Sequence, residues 1–178
     1  GSEMCIRDRI CGHDVIEDPV AAKRHLAYVP DEPRLYDELT VMEHLRFHAA
    51  VYGMPSTLEA VERSSGPLVE QFELVEHKAK LGADLSRGMR QKVAVCCALL
   101  HDPKLILLDE PLTGLDPRGI RTMKDSIRTR AAAGAAFVIS SHLLDLIQDL
   151  CDALLIIHKG EVKYAGAMGG AQRAFAGE

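Results

Sequence analysis

LILLDEP, residues 105–111, is an unbroken apolar run that ends in two acids and a proline. Leu105 to Leu108 offer no polar face. That suits a strand covered on both sides, as strands of parallel sheets are. The same texture recurs on either side of it. Upstream, RHLAYVP (24–30) reads as a short strand stopped at Pro30. Downstream, AAFVISS (135–141) is a second buried strand, ALLIIH (153–158) a third, and EVKYAG (161–166) a fourth. Helices separate them. One over 87–100 is expected to bury Met89, Val93, Cys96 and Leu100. Another follows Asp116-Pro117, an N-cap and a favoured first helical residue, with Ile120, Met123 and Ile127 at helical spacing. LLDLIQDL (143–150) reads as a third helix. Strands alternating with helices give an α/β fold with a mostly parallel sheet. In such sheets, ligands sit at the carboxyl ends of the strands.

Between the first strand and the 87–100 helix the pattern changes. Residues 38–84 carry little strand signal and form a helical subdomain. Thr40 and Glu43 make a T-x-x-E capping box. Met42, Leu45, Ala49 and Tyr52 then keep helical spacing until Gly53 and Pro55. Residues 57–63 and 67–75 read as two further helices, split by Ser64-Ser65-Gly66-Pro67.

Composition narrows the partners. Of the 178 residues 47% are hydrophobic and 26% charged, an ordinary globular balance, and the net charge of −5 comes with no basic stripe. That speaks against nucleic acid as a partner, but phosphate can still be held by backbone amides and helix ends. No apolar run approaches the roughly 18 residues of a membrane span. The five cysteines show no C-x-x-C pair, and adjacent Cys96 and Cys97 suit neither a mutual disulfide nor a zinc site. Reduced thiols are the simplest reading.

Four short stretches carry the chemistry. Asp109 and Glu110 end a buried strand, where an Asp can hold Mg²⁺ and a following Glu can polarise water. Alone, the pair reads equally well as strand-end acids capping a turn. LSRGM (85–89) opens a helix whose free N–H groups suit phosphate, although Ser86 is equally an ordinary cap. PLTGLDP (111–117) is a turn ending in an acid, and ISSH (139–142) ends a strand with His142. Order and spacing make these a set: Asp116 lies six residues past Glu110, and His142 thirty-two past it.

This set resembles the ATP-binding domain of ABC (ATP-binding cassette) proteins over about Ile10 to Ala167. LSRGM matches the signature, LLDEP the Walker B segment, GLD the D-loop, SSH the switch histidine and AYVPD (27–31) the Q-loop. The resemblance implies ATP and Mg²⁺ as cofactors and a P-loop NTPase core plus a helical subdomain. It implies that Asp109 helps hold Mg²⁺ and that Glu110 acts as base or water-orienter. His142 would contact the γ-phosphate. The signature, Leu85, Ser86, Arg87, Gly88 and Met89, would grip the ATP of an opposing subunit, and Asp116 would link the two sites of a head-to-tail dimer. Two positions depart from the pattern. Asp31 stands where Gln is expected and cannot donate as an amide does, and Arg87 replaces a glycine.

No G-x-x-x-x-G-K-[ST] phosphate loop occurs in the 178 residues. In the family that loop precedes the segment matched here by ICGHDV (10–15). The expectation is that the chain starts after it, so that the Walker A strand, loop and helix are missing. GSEMCIRDR (1–9) back-translates to a string resembling a transposase-type sequencing adapter, so residues 1–9 are expected to be foreign. The native domains then run 10–37 (partial ATPase core), 38–84 (helical subdomain) and 85–178 (signature helix and remaining core). The sheet is expected to have an unfilled slot and exposed apolar edges.

The parent protein is expected to be the ATPase subunit of an ABC transporter. It would be cytoplasmic, peripheral on the inner face of the membrane, and paired with a second nucleotide-binding subunit and a transmembrane permease. LYDELTVMEHLRFHAAVYGM (35–54) resembles exporter-type members. The alternative is a soluble regulatory or binding ATPase of the same family without a transport partner. The chain as given is expected to be inactive.

Overall fold

Three parallel strands organise the chain in a computed structural model that describes residues 8–143 and 148–170. They are β3 (Leu26–Val29), β4 (Leu105–Asp109) and β5 (Ala136–Ser140), side by side in that order. A short hairpin, β1 (Arg9–Ile10) and β2 (His13–Asp14), and a one-and-a-half-turn helix α1 (Pro19–Arg24) precede them. Register sets Leu26 opposite Leu105, Leu105 opposite Ala136, and Asp109 opposite Ser140. All three carboxyl ends therefore lie along one edge.

The two faces of this sheet differ. Ala27, Val29, Ile106 and Leu108 are buried, and Phe137 and Ile139 half-buried. α4 (Arg87–Leu99) packs against β3 and α5 (Pro117–Ala132) against β5. On the opposite face Tyr28, Leu107 and Val138 form one row through the register, and Tyr28 and Val138 are each 58% exposed. The sequence had implied strands covered on both sides. Instead, burial alternates along β4 and β5 because cover comes from one side only.

The helical segment begins as its caps dictate. Thr40 Oγ1 accepts the Glu43 N–H at 3.2 Å, and Glu43 Oε2 accepts the Thr40 N–H at 2.8 Å, which starts α2 (Val41–Val51). Val41, Met42, Leu45 and Ala49 face the core. His44 is buried too, its Nε2 accepting the Tyr36 N–H at 2.9 Å and its Nδ1 lying 2.8 Å from the Thr40 carbonyl. The expected break at Ser64–Pro67 is absent. α3 runs unbroken from Leu58 to Gln71 with Pro67 inside it. Val61, Ser65, Leu68 and Val69 form a buried face that spans the supposed break. Tertiary burial outweighs the one backbone bond that Pro67 forfeits. Ser64 and Ser65 turn their hydroxyls back to the Val61 carbonyl.

α4 carries Val93, Cys96 and Leu100 into the core as spacing implied, while Met89 is only partly covered. α5 begins at Asp116 and Pro117, with Asp116 Oδ1 accepting the Gly119 N–H at 3.1 Å. Glu73, just past α3, takes both Arg118 of α5 and Lys92 of α4, which ties the three helices together.

His48 and His101 sit beside this core, His101 stacked on Tyr52 at 3.6 Å between ring centroids. Both imidazoles are held below their ordinary value of 6.5, chiefly by burial. The unfolded chain therefore binds protons more readily than the folded one. Stability rises with pH up to the unfolded value and is lost as pH falls from 6.5 through the lowered folded values. Urea midpoints measured at pH 7.5 and pH 5.5 (chosen on either side of about 6.5) are expected to be lower at the acid pH.

A second unit begins at Ser141. Its described part is an antiparallel hairpin, β6 (Ala153–His158) and β7 (Glu161–Ala167), turning at Lys159-Gly160 with both φ positive. ALLIIH was expected to be a buried sheet strand. Leu155 and Ile157 are instead more than half exposed, because among the described residues β6 pairs only with β7. The helix expected over 143–150 falls partly outside the described residues. Among the described residues no helix is long and apolar enough to cross a membrane.

Candidate functional site

The carboxyl edge of the sheet gathers the acids. β4 ends at Asp109, whose Oδ1 accepts the Ser140 hydroxyl of β5 at 2.5 Å. Glu110 adopts φ +46, a left-handed backbone that a non-glycine residue keeps only where its surroundings hold it. Its N–H still donates to the Ser140 carbonyl at 3.0 Å. The ladder thus runs one residue past β4 before the chain turns. The Glu110 carbonyl accepts the Thr113 N–H, Gly114 takes φ +77, and Asp116 caps α5.

The first turn of α4 docks on that turn. A Cβ on Gly88 would stand 2.9 Å from the Gly114 carbonyl oxygen, so the close approach requires glycine at 88. The Arg87 side chain also lies over Gly114, its Cδ 3.1 Å from where a Cβ there would be. Ser86 is the N-cap and accepts the Met89 N–H at 3.3 Å. Leu85 is buried, and its carbonyl accepts Nε of Arg90.

Asp31 stands two residues beyond β3, on the same edge as Asp109 and Glu110. Its Oδ1 meets Nη2 of Arg87 at 3.2 Å. The two positions that depart from the ABC pattern therefore pair with each other. Beside them runs a groove of about 490 Å³ lined by Pro33, Leu35, Asp37, Arg87 and Arg90. Arg90 also reaches Asp37 at 3.6 Å.

The first unit thus joins two clusters. Asp109, Glu110 and Ser140 lie at the ends of β4 and β5. Asp31, Arg87 and Gly88 reach the 110–116 turn through Gly114. His142 belongs to the second unit and is exposed. Sequence reading missed Ser140 as a partner of Asp109 and Gly114 as the platform for α4. The serine was legible as the strand-end residue of ISSH. Its pairing needed the β4–β5 register.

Among the described residues no three His, Cys, Asp or Glu side chains are grouped to hold a metal. Magnesium does not need such a cage. It keeps several waters and leans on one or two carboxylates plus phosphate oxygens. Asp109, a hard oxygen donor anchored on one side by Ser140, fits that demand.

Comparison with known proteins places these features in context. The sequence pattern of the ABC transporter family matches residues 5–113. The chain is 36% identical over 157 residues to the ABC-type transporter ATP-binding protein EcsA of Bacillus subtilis (strain 168), covering 88% of this chain. It is 34% identical over 158 residues, again 88% of this chain, to the ABC transporter ATP-binding protein NatA of the same organism. It spans 63% of the length of each. A solved structure described as an ATP binding subunit of an ABC transporter superposes with a TM-score of 0.85 at 37% identity, over 94% of this chain and 69% of that one.

Proposed function

This chain belongs to the ABC transporter family, with the α/β fold of P-loop NTPases, and from that premise we propose that the full gene product is the ATP-hydrolysing subunit of a transporter. One observation carries the reading furthest. The acid pair Asp109-Glu110 leaves the carboxyl edge of a parallel sheet, and the LSRGM turn is docked on the very loop that follows it.

In this reading Asp109, steadied by Ser140, takes one side of Mg²⁺, which when bound neutralises charge on the phosphate oxygens. Glu110, on the left-handed residue that follows β4, orients the attacking water and accepts its proton. His142 contacts the γ-phosphate. Leu85 to Met89 face the ATP of a second nucleotide-binding subunit, and Asp116 stands between the two sites. The phosphate loop is supplied by sequence outside these 178 residues, so the chain alone does not turn ATP over. The open sheet row Tyr28–Leu107–Val138 supports this, being an apolar face suited to a further covering helix. The groove beside Asp31 receives a permease segment at the cytoplasmic face of the membrane. The likeness of residues 35–54 to exporter-type members favours export.

The test is Mg²⁺-dependent phosphate release by the full-length gene product, beside the 178-residue chain. Hydrolysis by the former and none by the latter is expected. A full-length product inert with and without its membrane partner would overturn the reading, as would turnover by the short chain.

A further inference from the structure

The ion pair between Asp31 and Arg87 joins two parts of the chain that no strand or helix connects. Asp31 sits on the loop leaving β3, and Arg87 is the first residue of α4. Both side chains are about half exposed, so the pair contributes little to overall stability. Its placement is more informative than its energy. The Arg87 stem lies on Gly114, in the turn that follows Glu110. Gly88, its neighbour, is pressed against the carbonyl of that same Gly114. Arg87 also lines the groove whose other wall is the 32–37 loop. Arg87, the first residue of α4, therefore meets the β3 loop with its guanidinium and lies along the post-Glu110 turn with its stem.

We propose that Asp31 is a positioning residue that acts through Arg87, holding the arginine against Gly114 and so fixing the first turn of α4 over the turn that follows Glu110. Asp31 serves this role by its charge, not as a stand-in for an amide. A carboxylate accepts and cannot donate, and the guanidinium only donates, so the two are matched in a way that an Asn or Gln at 31 is not. The functional consequence rests on the ATPase reading above. The ion pair itself does not.

The experiment separates these two levels. In the full-length gene product, D31Q and R87E each lower kcat for Mg-ATP hydrolysis about fivefold with KM moved less than about twofold, while D31E stays within about twofold of wild type. The exchanged pair D31R/R87D regains most of the loss. Glu and Gln are isosteric and differ in charge, so equal losses in D31E and D31Q overturn the proposal. An exchanged pair no better than R87E alone overturns it too. A second measurement avoids hydrolysis. In the 178-residue chain the Arg87 Nε–Hε resonance is expected to shift, and to exchange faster with water, in D31N. If that change occurs while the full-length wild type hydrolyses nothing, the ion pair stands and the ATPase reading fails. If hydrolysis is normal and the Arg87 resonance is the same in D31N, the ion pair fails alone.

Discussion

Glutamine at position 110 is expected to lower ATP hydrolysis by the full-length gene product by about 10²–10⁴-fold, the contribution of a positioned general base. Gln keeps the size and shape of Glu but cannot accept a proton at neutral pH. It tolerates the φ of +46 at this position as well as Glu does, so the turn that carries it is not disturbed. Nucleotide binding, measured separately by titration, should persist because binding relies on groups other than the base. Phosphate release within about threefold of wild type would remove Glu110 from the base role. Loss of binding together with hydrolysis would mean instead that the substitution damages the pocket.

The largest effect on stability is expected at Phe72. Its ring is 1% exposed and heads the fully buried large side chains. It caps α3, with its N–H bonded to the Leu68 carbonyl, beside buried Val69 and Leu74. Phe72→Ala removes a whole ring from a packed core and should cost about 3–5 kcal/mol. Against a typical total of about 5–15 kcal/mol, that is a large share. Urea unfolding should show the midpoint falling with the slope unchanged. Phe47, at 44% exposure, is the internal comparison, and its alanine variant should change stability by about 0.5 kcal/mol. A loss at Phe72 of about 1 kcal/mol or less would mean that its ring does not carry the core packing assigned to it.

Much of this was written locally in the sequence. The Thr40–Glu43 box, the Asp116-Pro117 cap and the positions of β3, β4 and β5 follow from short-range chemistry, and the structure has each where its residues put it. The Ser64–Pro67 stretch misled because turn residues speak only for the local backbone. The buried face of α3 draws on Val61 and Val69 from both sides of it. Cover on the strands was misread for a related reason. An all-apolar run such as LILL cannot say how many helices will lie against it. At the site, the acids were legible by type and position. Their partners were not. Ser140 reaches Asp109, and Arg87 reaches Asp31, only after distant parts of the chain have met.

That meeting has a cost in chain entropy. Leu26 pairs with Leu105, so the whole helical segment lies inside the loop that the β3–β4 pairing must close. Closing it from a disordered chain would be slow, since distant strands have to find one another before any contact rewards them. Helical turns form far sooner, from neighbours in sequence. Folded first, α2, α3 and α4 shorten the span and deliver the two strand-bearing ends to each other. Local helical contacts thus splint the loop that the sheet must close.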